Sequence, residues 1–238
     1  MHKVISHFLC NDTKLIKIME KQHYKEAFSR IDEDKKNQIL EAGIEEFSAK
    51  GYEKANINII AKKAGISIGL MYKYFATKED LFITCLKRGM DILEKALYDI
   101  MVSEEKLLVK AEMLIRTICA HSKKHSNYIK LYNEICAQKG SYDKIKSMAD
   151  EVEEKRSAIY ITSITRALKT GDVRPDLDPG LFAFFLDNLL TVLQFSYTCD
   201  YYKEKLKIYT GVDVNENSEE QVISQLLKFI ESAFTFKK

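Results

Sequence analysis

The 238-residue chain sets 37 lysines and arginines against 35 aspartates and glutamates, a net of +2, which excludes a strongly polybasic or polyacidic protein. Two prolines and nine glycines are too few for the many turns of a sheet protein. Long helices joined by short loops, in one small and one larger domain, are the expectation.

The charge is unevenly placed. Six lysines (Lys50, Lys54, Lys62, Lys63, Lys73 and Lys78) meet one acid, Glu53, over Lys50–Lys78, a local +5 that suits phosphate and equally describes a solvated helix face. Five cysteines (Cys10, Cys85, Cys119, Cys136 and Cys199) never form a CxxC pair and read as reduced, mostly buried thiols of a cytoplasmic protein. Val4–Cys10 contains His7 and is too short for a signal-peptide core, and Met19 offers an alternative start. The longest apolar run, Leu181–Tyr197, is interrupted by Asp187, Asn188 and Gln194, so it reads as a buried or interface helix with no membrane partner.

In chain order, residues 1–28 lack a regular pattern and form an N-terminal extension. A helix is predicted from Asp34 to about Ala49, its apolar face made by Ile39, Leu40, Gly43, Ile44 and Phe47, with Gly51 as left-handed cap. Asn56 caps a short helix carrying Ile57, Ile60, Ala61 and Ala64; Gly65 stops it. Ser67 caps a second short helix, Ile68 to Tyr74, completing a helix-turn-helix. Thr77-Lys78-Glu79-Asp80 is close to a capping box and opens the next helix, towards Met101. Further helices are expected over Glu104–His125, Ser126–Lys139 and Tyr142–Lys169. Asp178 and Pro179 start one reaching about Tyr202, and a final helix carries Val222, Leu226, Phe229, Ile230 and Phe234.

The string from Ile39 to Phe82 resembles the N-terminal domain of the TetR family of transcriptional regulators. The resemblance lies in Phe47 with Gly51-Tyr52, Ile60-Ala61, Ala64-Gly65-Ile66-Ser67, Tyr72-Lys73-Tyr74-Phe75 and Lys78-Glu79-Asp80-Leu81-Phe82. It departs where Ala55-Asn56 replaces the usual Thr-Thr pair, which keeps a good cap but removes a phosphate-seeking hydroxyl. The resemblance implies an all-α fold: a helix-turn-helix DNA-binding domain over residues 29–78, and a helical effector-binding and dimerisation domain over 79–238. The function it implies is a ligand-responsive repressor that binds a palindromic operator in double-stranded DNA as a homodimer. The alternative is a helical interaction protein whose helix-turn-helix no longer reads specific DNA.

In a helix-turn-helix the second helix enters the major groove. That assigns Asn56, Ser67, Ile68, Gly69, Met71, Tyr72, Lys73 and, by the resemblance, Tyr74 and Lys78 to DNA, with Leu70 and Phe75 in the core. The helix holds no Arg, Asn or Gln to grip guanine or adenine, whereas Ile68, Met71 and Tyr72 suit thymine methyls. An A·T-rich operator is therefore expected; the alternative is a guanine contact from Lys73.

Phe185, Leu189, Val192, Leu226, Phe229 and Ile230 are assigned to the dimer interface by the family pattern of two terminal helices, or else to plain core. Tyr128, Tyr132, Tyr160, Phe184 and Phe195 are candidate lining residues for an unidentified small-molecule effector, although aromatics at helical spacing also serve as core. His121 and His125 have a metal-compatible i, i+4 spacing, but without a third ligand they read as a solvated helix end. No nucleophile elbow, phosphate loop or cofactor motif appears, so neither an enzyme nor a cofactor is expected.

Overall fold

The computed structural model describes residues 22–138, 143–213 and 218–235. Val4–Cys10, Met19 and the chain beyond 235 lie outside the described residues, within which all regular structure is helical. The helices are α1 (Glu26–Ser29), α2 (Glu33–Lys54), α3 (Ile57–Lys63), α4 (Ile68–Tyr74), α5 (Lys78–Val102), α6 (Leu107–Lys124), α7 (Ser126–Gln138), α8 (Asp143–Thr170), α9 (Pro179–Thr198), α10 (Asp200–Thr210) and α11 (Glu219–Phe234).

Local chemistry explains the boundaries. Asp32 starts α2 by accepting the Lys35 amide at 2.8 Å. The helix breaks at Gly51 and runs one further turn, which lays the Tyr52 ring parallel to Phe47. Gly65, at φ +61, lets the chain reverse so that the Ile66 amide donates to the Ala61 carbonyl at 3.0 Å. At α5 the Thr77 hydroxyl accepts the Asp80 amide at 3.0 Å while itself donating to the Asp80 carboxylate at 2.8 Å. The shorter Asp thus reaches the Thr77 hydroxyl, whereas Glu in the usual capping box reaches the N-cap amide.

Among the described residues two large hydrophobic cores result, with a small third cluster at Ile129, Phe195 and Cys199. The first joins Ile39, Ile44, Phe47, Ile60, Phe75 and Phe82, all buried, and it extends beyond the small domain to Leu131 and Ile135 of α7 and Met148 of α8. The second gathers Leu114, Ile115, Ile164, Leu186 and Leu190 with α11 residues Ile223, Ile230 and Phe234. α7 and α8 therefore contribute to the helix-turn-helix core as well as to the larger domain. The chain also enters that core before residue 29: Phe28 is buried, its ring 4.8 Å from Phe75 and 5.7 Å from Tyr74.

The helix expected to run from Pro179 to Tyr202 is two helices. Extended backbone at Cys199 ends α9, and α10 follows with no buried residue. α9 is long and apolar enough by composition to cross a membrane. It packs instead on α6, α8 and α10, and its Asp187 pairs with Arg156 of α8 at 3.0 Å. An outer strip of α9 stays uncovered: Leu181, Phe184, Phe185 and Val192 are exposed, as is Phe229 on α11.

Candidate functional site

The helix-turn-helix offers one continuous outer face. Asn56 caps α3 by accepting the Asn58 amide at 2.9 Å, and Ser67 caps α4 by accepting the Leu70 amide at 3.2 Å. With its N-terminus so capped, α4 exposes Ser67, Ile68, Gly69, Tyr72 and Lys73, and Tyr72 is 48% exposed. α3 adds Asn58, Ile59, Lys62 and Lys63. Ala61 is buried where the two helices cross, and Lys35 ties the turn by donating to the Ala64 carbonyl at 2.9 Å.

Two residues expected on this face are inside. Met71 is 1% exposed and Tyr74 is 6% exposed. Met71 and Tyr74 stand three positions apart, so both project from the same inner side of a 3.6-residue helix, with Phe75 next to Tyr74. Leu70, expected in the core, is only half-buried. Lys78 is half-buried: its ammonium donates to the Glu53 carbonyl at 2.9 Å and lies 4.9 Å above the Tyr52 ring. The apolar packing and nearby Glu79 and Glu53 push the Tyr52 hydroxyl up to about 12, so the ring stays neutral beneath the cation. Asn58 and Ile59 share the exposed side of α3 with Lys62 of the basic cluster, although the sequence reading assigned neither to DNA. Their i, i+1 and i+4 placement opposite Ile60 and Ala61 was the available signal.

Behind this domain lies a cavity of about 550 Å³ walled by α5, α6, α7, α8 and α9. Tyr128, Tyr132 and Tyr160 line it with Leu86, Met90, Ile129 and Ile159. The other two aromatics proposed for it are elsewhere. Phe184 is 61% exposed on the outer strip of α9, because it follows Ala183, which faces the core. Phe195 is buried behind the wall, packed against Ile129 and Cys199 with its ring 5.8 Å from Tyr132. Likewise Ile230, assigned to an interface, is 1% exposed in the second core, whereas Phe185, Val192 and Phe229 are exposed and Leu189 and Leu226 half-buried.

The cavity's polar groups are ordered by burial. The Tyr132 hydroxyl donates to Glu153 at 3.0 Å and accepts from Arg156 at 2.5 Å. Tyr128 donates to Glu41 of α2 at 2.8 Å, and burial together with this carboxylate raises its pKa well above the usual phenol range. The Tyr128 ring sits so close to α5 that a Cβ at Gly89 would fall 1.9 Å from it. His121 is not at a solvated helix end: its ring nitrogens are buried in the cavity wall, and burial followed by repulsion from His125 and Lys124 lowers its pKa to about 4. No group of three or more metal-ligating side chains occurs among the described residues. Cys85, Cys119 and Cys199 are buried and held protonated by that burial; Cys136 is exposed and Cys10 lies outside the described residues.

Comparison with known proteins places this geometry. Residues 39–85 match the family model described as "Bacterial regulatory proteins, tetR family". YhgD, an uncharacterized HTH-type transcriptional regulator of Bacillus subtilis (strain 168), is 27% identical over 168 residues, covering 69% of this chain and 84% of YhgD. A TetR family transcriptional regulator from Chloroflexus aurantiacus J-10-FL superimposes with a TM-score of 0.66 at 18% identity, over 90% of this chain and 99% of that one. The transcriptional regulator FadR from Bacillus subtilis, solved in complex with stearoyl-CoA, gives 0.65 at 19% identity, over 83% and 98%. At these identities the two structures share the fold.

Proposed function

We propose, from the match of residues 39–85 to the TetR family model and the fold shared with its solved members, that the chain is a TetR-type DNA-binding regulator: a cytoplasmic repressor that binds operator DNA as a homodimer and responds to an effector in the cavity behind its helix-turn-helix. The observation that carries this reading is the pairing of an outward α3–α4 face with a cavity that touches the same domain through Tyr128.

The DNA contacts of this reading are Asn56, Asn58, Ser67, Ile68, Gly69, Tyr72 and Lys73, with Lys78 steadying the start of α5. With Met71 inside, Ile68 and Tyr72 are the apolar groups left for thymine methyls, and they support an A·T-rich operator. Two recognition helices are needed for a palindrome, and the exposed strip of Leu181, Phe184, Phe185, Val192 and Phe229 is the surface that a second copy would cover. The relative solved with stearoyl-CoA supports an amphiphilic effector with a long apolar part. Such a ligand acts by favouring the arrangement with badly spaced recognition helices, and so lowers DNA affinity.

Fluorescence anisotropy of the purified chain with DNA from upstream of its own gene, at two salt concentrations and with scrambled competitor, tests the reading. Tight, competitor-resistant binding that weakens with salt is expected. Binding equal to that of scrambled DNA, and no enriched site after selection from random DNA, would instead identify an interaction protein that has lost sequence-specific DNA reading.

A further inference from the structure

Most polar groups in the cavity wall are already engaged. Arg156 faces Glu153 at 2.7 Å and Asp187 at 3.0 Å, so its charge is answered on two sides. Tyr132 and Tyr128 bond to Glu153 and Glu41, and Lys155 stands 4.0 Å from Glu151. Asp91, Lys95 and Asp99 are exposed to solvent.

The Nε of Arg156 is buried without a hydrogen bond but lies in its ion pair with Asp187, whereas two other lining side chains among the described residues have no such partner. Gln194 of α9 is 5% exposed, and its Nε2 has no hydrogen-bond partner. On α6, which packs against α9, both ring nitrogens of His121 are buried and unpartnered. Both residues line the cavity. Buried amides and imidazoles are normally satisfied, and leaving them so costs stability unless something else supplies the partner.

We propose that Gln194 and His121 form a polar subsite for an uncharged oxygen (a ketone, a hydroxyl or a thioester carbonyl) carried by an otherwise apolar effector. This rests on the cavity being the effector site. The amide can donate to a carbonyl or hydroxyl oxygen, and a neutral imidazole offers one donor and one acceptor. The lowered pKa of His121 keeps the ring neutral at physiological pH. A free carboxylate fits poorly, because the guanidinium of Arg156 is already balanced by two acids and Lys155, the other largely buried cation of the wall, faces Glu151. The volume of about 550 Å³ lies in the range of small-molecule sites.

The test uses the full chain and a neutral fluorophore, N-phenyl-1-naphthylamine, displaced at pH 7.5 by 2-tridecanone, 1-dodecanol or dodecanoate. The ketone and the alcohol are expected to displace it at concentrations about tenfold below dodecanoate, the discrimination that a site built to hydrogen-bond an oxygen provides. Gln194→Leu should raise the ketone concentration needed by about fivefold to tenfold relative to that of dodecanoate, both measured on the same variant. His121→Gln, which keeps a hydrogen-bonding group, should retain most of the preference, whereas His121→Leu should narrow it about fivefold and serves as the second variant should Gln194→Leu fail to fold. Fluorophore binding with no preference over dodecanoate, or a ketone-to-dodecanoate ratio unmoved by Gln194→Leu, overturns the polar subsite alone. Failure of the fluorophore to bind the wild-type chain overturns the effector-cavity reading, and the subsite with it.

Discussion

The Tyr128 hydroxyl donates to the Glu41 carboxylate at 2.8 Å, so a side chain in the cavity wall is bonded directly to the first long helix of the DNA-binding domain. Glu134, two turns further along α7, accepts the Tyr52 amide at 2.5 Å. α7 therefore holds the small domain at two points. A ligand that displaces the Tyr128 ring must strain or break the first of them.

Tyr128→Phe keeps the ring and removes the bond. It is expected to cost about 1–2 kcal/mol in chemical denaturation, since the acceptor is charged. Operator affinity without effector should stay within a few fold, while the concentration of effector needed for release shifts. An unchanged release curve would remove Tyr128 from the coupling route.

Gly89 and Gly69 separate fold from function. A Cβ on Gly89 would overlap Tyr128 at 1.9 Å, whereas one on Gly69 meets nothing closer than the Ser67 hydroxyl at 3.9 Å. Gly89→Ala should destabilise by about 1–3 kcal/mol through overpacking. Gly69→Ala should leave the melting temperature unchanged or slightly higher and weaken operator binding, because its methyl lies on the face presented to the groove. Melting curves and anisotropy on both variants check the pair.

Tyr72 and Met71 are neighbours with opposite roles. Tyr72→Ala is expected to lose about 1–3 kcal/mol of operator affinity at constant stability. Met71→Ala should lose about 2–5 kcal/mol of stability, as for other buried methionines. Equal effects of the two on melting would contradict the exposure pattern of α4.

Charge on the outer strip of α9 and α11 should dissociate the proposed dimer. Phe185→Glu and Phe229→Glu alter exposed side chains, so the monomer fold should persist while sedimentation shifts to the single-chain mass. A wild-type chain already monomeric at working concentration would refute the interface.

His121 gives a pH signature. Its folded pKa of about 4 lies below the ordinary 6.5, so the stability linked to its neutral form is complete above pH 6.5 and lost as pH falls through 4. Between pH 6.5 and 4.5 the melting temperature should fall less steeply in His121→Gln than in the wild type. Parallel profiles would mean that the ring is hydrated and titrates normally.

Much of the helix-turn-helix was legible from residue order alone. Caps such as Asn56, Ser67, Thr77 and Asp178, and the reversal at Gly65, depend on side chain and backbone a few residues apart, so their chemistry is local and readable. Short-range geometry also sufficed for the apolar face of α2. Which side of a helix meets which neighbour is another matter. Met71, Tyr74 and Ile230 read as surface groups and proved to be core, while Phe184 read as a cavity residue and proved to be exposed. Residue type is nearly the same for both fates, and burial depends on partners far along the chain, such as Phe28 against Tyr74. The bond from Tyr128 to Glu41 spans 87 residues, and the unpartnered state of Gln194 and His121 depends on what the other cavity helices fail to supply. Sequence determined most helices and the helix-turn-helix motif, though neither α1 nor the break at Cys199, because hydrogen bonds one turn apart govern them. Only the tertiary structure decided the cavity, its polar subsite and its tie to the DNA-binding domain, because these arise where distant helices pack.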